Sequence, residues 1–174
     1  LNYLPSIGEP AVLVIPVSFK DTTLSSSQKN IVKDDLYKIF FGANEETGWR
    51  SVRTYFAEES FGKLKIKGTV TDWWDSGIYS RDVESNTTNN LVDKAVKWYK
   101  NKTGTNLSSF DTNSDGYIDS VVLIYGCENY TNTKSTNEEL WAYTSWNTNS
   151  ANLYSPNACA FTWASYDFMY GVNK

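Results

Sequence analysis

"DTNSDGYIDSVVLIYG", residues 111–126, sets a run of oxygen-bearing side chains directly ahead of a continuous apolar run. The first half alternates Asp111, Asn113 and Asp115 with spacers, turns at Gly116 and adds Asp119. The second half, residues 121–125, is apolar without a break and rich in β-branched residues, the signature of a strand buried on both faces. A liganding-type loop that feeds a strand, rather than a second helix, excludes a pair of EF-hands and points to a layered α/β domain.

Upstream, strand and helix patterns alternate. Residues 1–10, with Pro5, Gly8 and Pro10, read as a lead-in segment, and residues 11–174 as one domain. Residues 11–19 form a first apolar strand; Pro16 within it lacks an N–H and is expected at an edge or a bulge. Ser25 with Gln28 three residues later forms a capping box. Val32, Leu36, Ile39 and Phe40 then recur at helical spacing, and Gly42 is the stop. "SVRTYFAEESFGK", residues 51–63, reads as a second helix with Val52, Tyr55 and Phe56 on one face, ended by Gly62. "KLKIKGTV", residues 63–70, alternates Leu64, Ile66 and Val70 against Lys63, Lys65 and Lys67, a half-buried strand with Gly68 as a candidate bulge. The polar residues 86–90 cap a third helix, in which Val92, Val96 and Tyr99 form a stripe flanked by Leu91, Ala95 and Trp98, ended by Gly104. After polar turns over residues 129–138 come two aromatic, strand-like segments, "LWAYTSW" (140–146) and "AFTWASYDFMYG" (160–171). Strands separated by about three helices predict an α/β (α+β) fold: a twisted mixed sheet with helices packed on it.

Composition narrows the function. The chain has 174 residues, 40% hydrophobic and 16% aromatic, with a net charge of −4. That balance, without basic clusters, argues against nucleic acid or an anionic membrane as the main partner. No apolar run approaches the roughly 20 residues of a membrane span. The chain opens on Leu1 and closes on an aromatic run, so it is expected to be a trimmed piece. It contains no histidine, which excludes Ser–His and Cys–His centres and a zinc site built on two histidines. Cys127 and Cys159 allow either one disulfide or two buried thiols. Asn-x-Ser/Thr matches at Asn86, Asn101, Asn106 and Asn129 imply exposed loops at most.

The acidic loop has the spacing of a calcium site. Asp111, Asn113 and Asp115 fill positions 1, 3 and 5, Gly116 makes the sharp turn at 6, and Tyr117 offers its carbonyl at 7. Ile118 anchors the loop to the core and Asp119 fills position 9. Val122 stands where an EF-hand has its bidentate Glu, so a remote carboxylate or water must complete the shell. The expected role is a structural staple; the competing reading is a loop of Asx turns with solvated carboxylates. Among other candidates, the Glu58–Glu59 and Glu138–Glu139 pairs read as solvated surface. Asp72 and Asp75, which flank Trp73–Trp74, read as strand-end packing before sugar stacking. Asp21 reads as a turn residue or cap, and the aromatic region 141–170 as core with a few rings lining a groove.

In order and spacing, "VSFKD", "SVRTYFAEESFGKLKIKGTVTDWW", "LVDKAVKWY", "FDTNSDGYIDSVVLIYG" and "LWAYTSW" resemble the immune inhibitor A-like family of secreted bacterial zinc metallopeptidases, in the region preceding the HExxH zinc helix. The resemblance covers about residues 11–146. It implies a zincin-like amino-terminal lobe, cut before the zinc helix, whose edge strand pairs with extended peptide substrate. It also implies calcium at the acidic loop, zinc only in the downstream part, the rest of the parent peptidase as partner, and a secreted or cell-surface location. No zinc ligand or catalytic Glu transfers to this chain. The alternative is a calcium-stabilised extracellular binding or adhesion module with an aromatic ligand surface.

Overall fold

The apolar run that opens the domain becomes the middle of a sheet. In a computed structural model, which describes residues 4–84, 87–129, 137 and 139–170, β1 (Ala11–Ser18) is buried at every position. The other strands are β2 (Lys67–Val70), β3 (Trp74–Asp75), β4 (Ser120–Tyr125), β5 (Tyr143–Trp146) and β6 (Ala160–Ser165). The sheet order is β2–β1–β4–β6–β5, with β3 also on β1. Every pair is parallel except β5–β6. The fold class is therefore the expected mixed α/β arrangement, with α1 (Ser26–Phe41), α2 (Asn44–Thr47), α3 (Val52–Glu59) and α4 (Thr87–Thr103).

Parallel neighbours need crossover connections, and the helices supply them. α1 packs Val32, Leu36 and Phe41 on one sheet face, against Val12, Val14, Val122 and Ile124. α4 packs Leu91, Val92, Ala95 and Val96 on the other, against Leu13, Ile15, Val121 and Leu123. Local signals set the helix ends as expected. Ser25 Oγ accepts from the Gln28 amide, and the Ser25 amide donates to Gln28 Oε1. Gly42 closes α1.

Pro16 is explained by a gap in the ladder. β2 registers with β1 only as far as Val14, and β3 begins at Val17. The Val14 and Ser18 carbonyls both face the β2/β3 side, accepting from Thr71 and Ser76. Pro16 lies between them on the same side, so its missing N–H falls where no strand asks for it.

Several expectations are corrected. Tyr55 and Phe56 do not enter the core: they stay 45% and 40% exposed, stacked edge-on at 5.3 Å. α3 buries no residue fully and ends at Glu59, before Gly62. The strand expected over residues 63–70 is regular only from Lys67, although Leu64 and Ile66 are buried as read. The lead-in segment already joins that edge, because Gly8 exchanges hydrogen bonds with Lys63 and Lys65. The last aromatic segment is a strand only to Ser165 and then tightens into a 3₁₀ turn, Tyr166–Met169. Gly68 is not a bulge; it pairs in register with Val12.

Gly68 is demanded by close approach. A Cβ there would sit 2.0 Å from the Val12 carbonyl oxygen and 2.8 Å from the Phe41 ring. Gly68→Ala therefore forces β2 away from β1 and is expected to cost about 1–3 kcal/mol, as overpacking does. Urea unfolding of the variant checks this; an unchanged midpoint would mean that the edge shifts freely.

Candidate functional site

The acidic loop is built by its own amides. Asp111, 8% exposed, accepts from the Asp115 amide at 3.0 Å and the Gly116 amide at 2.9 Å. Asp115 accepts from the Tyr117 amide at 3.1 Å and Asn113 Nδ2 at 2.7 Å. Gly116 turns the chain at φ +86°, where a side chain would be strained and its Cβ would lie 2.7 Å from the Asn152 nitrogen. The Gly116 carbonyl accepts from the Asn152 and Asn157 amides, the Ile118 amide donates to the Asn157 carbonyl, and the Tyr117 hydroxyl donates to the Asn149 carbonyl. The loop is thus fastened to the β5–β6 connection, and Ile118 is buried in the core as expected.

Asp119 does something else. It is 5% exposed, and its carboxylate accepts from Thr112 Oγ1 at 2.6 Å, the Thr112 amide at 3.1 Å and the Ala11 amide at 2.7 Å. The last bond ties the loop to the start of β1. Asp111, Asn113, Asp115, Tyr117 and Asp119 are therefore on one loop, but Asp119 is aimed at protein donors. No group of three His, Cys, Asp or Glu side chains converges as a metal cage among the described residues. The donor chemistry of the loop, carboxylate and carbonyl oxygens only, suits a hard cation such as calcium. It does not suit zinc. The chain has no histidine, and its two thiols are free, Cys127 just past the end of β4 and Cys159 just before β6. Because β4 and β6 run parallel with Val121 opposite Phe161, these thiols lie at opposite ends of the sheet, eight residues apart along the strands or about 26 Å at ~3.3 Å per residue, too far to bridge. Burial pushes the Cys127 thiol up to about 12, with Asp21, Asp167 and Glu128 adding to the rise, so it is no ready nucleophile.

The second feature is at the other end of the strand order. Among the described residues β5 pairs only with β6, so it is an antiparallel edge strand on an otherwise parallel sheet. β1 and the last five residues of β4 are buried throughout, whereas β6 alternates half-buried and buried. Phe161 and Trp163 enter the α4-side core, but Ala160 and Thr162, with Thr144 and Trp146 of β5, occupy the α1-side face without full burial. The sequence leaves either late aromatic segment, Trp141 to Trp146 or Phe161 to Tyr170, as the candidate beside the groove; the strand order puts β5 at the edge and β6 inside it. The small residues Ala160 and Thr162 were the missed signal of an uncovered sheet face.

The remaining candidates are structural. Glu58 and Glu59 both face Arg50, at 3.3 and 3.6 Å. Glu139 is placed in a turn, and Glu138 and Asn86 lie outside the described residues. Asp21 sits in the turn after β1, one of the two readings made of it, and accepts from the Ser80 amide and hydroxyl at 2.9 and 2.7 Å. Of the remaining Asn-x-Ser/Thr matches, Asn101 is on α4 rather than in a loop, Asn106 is exposed, and Asn129 is buried with its side chain on Asp167. Trp73 packs its ring where a Gly126 Cβ would meet it at 2.7 Å, Trp74 is buried, and Asp75 accepts from the Gly77 amide. No protein-family model matches the chain, and no curated protein matches it in sequence.

Asp72 joins the two helical layers across the sheet edge: Lys102 of α4 donates at 2.6 Å and Lys33 of α1 pairs with the other oxygen. These hydrogen bonds, Lys102's first, hold its carboxyl down at about 2. The folded-state value is depressed, so the pairing stabilises the fold above about pH 4 and is lost as pH falls toward 2. Asp72→Asn should lower stability at neutral pH by no more than about 1 kcal/mol, because the pair is solvated, and the gap should close between pH 4 and pH 2. A gap that persists at pH 2 would assign the loss to packing instead of charge.

Proposed function

We propose that this chain is the amino-terminal, non-catalytic lobe of a secreted zinc metallopeptidase of the immune inhibitor A type, with a zincin-like sheet. The observation that carries this reading is β5, an antiparallel edge strand beside a half-covered sheet face. An extended peptide gains main-chain hydrogen bonds by adding to such an edge, and a further helix gains burial on a face lined with small residues. The zinc and the catalytic base belong to a HExxH helix outside this chain; within it the residues present supply alignment of substrate only. The binding-module alternative rests on the exposed aromatics Trp141 and Trp146 at the same edge. Among the described residues no helix is long and apolar enough to cross a membrane.

Calcium belongs to the same proposal. Asp111, Asn113, Asp115 and the Tyr117 carbonyl would hold the ion, with Asp119 at the position that often reaches calcium through water. The ion would relieve repulsion between the Asp111 and Asp115 carboxylates and hold the loop that feeds β4.

Reading the gene past Lys174 tests the peptidase assignment. HExxH directly downstream, and no casein cleavage by the present chain with added zinc, are expected. A stop codon there, or chelator-sensitive cleavage by the chain alone, would overturn the assignment. Melting curves test calcium separately. Ligand at 100 times its dissociation constant adds roughly 2.7 kcal/mol, several degrees for a domain of this size. Calcium should raise the melting temperature of the wild type and not of Asp115→Ala; equal shifts, or none, would leave an ordinary turn.

A further inference from the structure

The chain is acidic, but its charge is unevenly placed. α4 carries Lys94, Lys97, Lys100 and Lys102 against Asp93 alone, a net +3 in a chain of net −4. Lys94, Lys97, Trp98, Asn101 and Lys102 recur at i, i+3, i+4, i+7 and i+8, which places them on one face. They line a shallow hollow of about 520 Å³. Lys97 also stands in the wall of a second hollow of about 300 Å³, with Asp93, Lys100, Asn149 and Asn157. Helix-dipole complementation accounts for lysines in the last turn, not for Lys94 and Lys97 further back. Neither of those two has an ion-pair partner among the described residues. Lys100 adds positive charge held only by neutral oxygens: its ammonium donates to the Ser155 carbonyl and hydroxyl and the Pro156 carbonyl.

We propose that this double hollow on α4 binds an acidic polysaccharide, with Lys94 and Lys97 facing its anionic groups and the half-buried Trp98 lying beside a sugar ring. The site is preset. Lys102 Nζ lies 5.2 Å from the Trp98 ring centroid and is itself anchored on Asp72, which fixes the indole and leaves Lys94 and Lys97 as the uncompensated charges. Asn101 fringes the first hollow with an amide that can donate and accept, while Asn149 and Asn157 in the second give Nδ2 to Asp93 and the Ser150 carbonyl and offer their Oδ1 to a hydroxyl-rich ligand. A helix face offers no strand edge to an acidic peptide, and a hollow with a single indole offers no run of stacking platforms to successive bases. The proposal is independent of the peptidase reading.

The test is titration of the purified chain with dextran sulfate, neutral dextran, poly-glutamate and single-stranded DNA of matched length, at low and high salt. The expected result is binding of dextran sulfate above the other three, weakened by salt. Lys94→Glu with Lys97→Glu should weaken it at least about tenfold, while Lys63→Glu with Lys65→Glu, in the run that leads into β2, should leave it unchanged. Circular dichroism confirms that both double variants are folded. Absence of binding at low salt, equal losses in the two double variants, or equal binding of poly-glutamate or DNA would each overturn the proposal.

Discussion

One buried carboxylate joins the two central strands. Asp119 stands at the head of β4, and its oxygen accepts from the amide of Ala11, 108 residues earlier, at the head of β1. The register Val12 with Ser120 follows directly beside it. A carboxylate removed from water is costly unless its lone pairs are filled, and here two donors from Thr112 complete the set. The bond therefore fixes where β1 and β4 meet. Through that register it also sets β6, which pairs with β4 along Val121–Tyr125, and the acidic loop that Gly116 fastens to the β5–β6 connection.

That arrangement separates two jobs within one motif. Asp111 and Asp115 shape the turn by accepting from amides two to five residues on, the local hydrogen bonding that Asp side chains favour. Asp119 works across the molecule. A motif read only by spacing assigns all three to one ion; in the structure one of them is a brace between strands. The calcium proposal thus concerns chiefly the first half of the loop, while the Asp119 bond to the Ala11 amide ties the head of β4 to β1.

The legible parts of the sequence were those governed by neighbours in the chain. The Ser25 capping box, the Gly42 stop and the fully apolar runs of β1 and β4 need no tertiary information. Leu64 and Ile66 were readable as inward-facing for the same reason. Tyr55 and Phe56 were misread because a helical apolar stripe does not say whether a partner surface exists; α3 buries no residue fully, and Tyr55 meets the Arg50 guanidinium instead of the core. Pro16 was recognised as an anomaly, but the gap between β2 and β3 that accommodates it depends on a strand of only two residues. The edge position of β5 was out of reach too. Strand order is set by long-range pairing, and β6 inserts between β4 and β5 although it follows both in sequence.

The Asp119 brace can be separated from metal ligation by following the Ala11 amide. Hydrogen exchange and urea stability should be measured for the wild type and Asp119→Ala, each in calcium and in chelator. A brace predicts that the substitution exposes the Ala11 amide to exchange and costs about 1.5–3 kcal/mol, the range for a hydrogen bond to a charged group, to the same extent in both buffers. Loss confined to calcium, with normal protection of the Ala11 amide in chelator, would contradict it and return Asp119 to the ion.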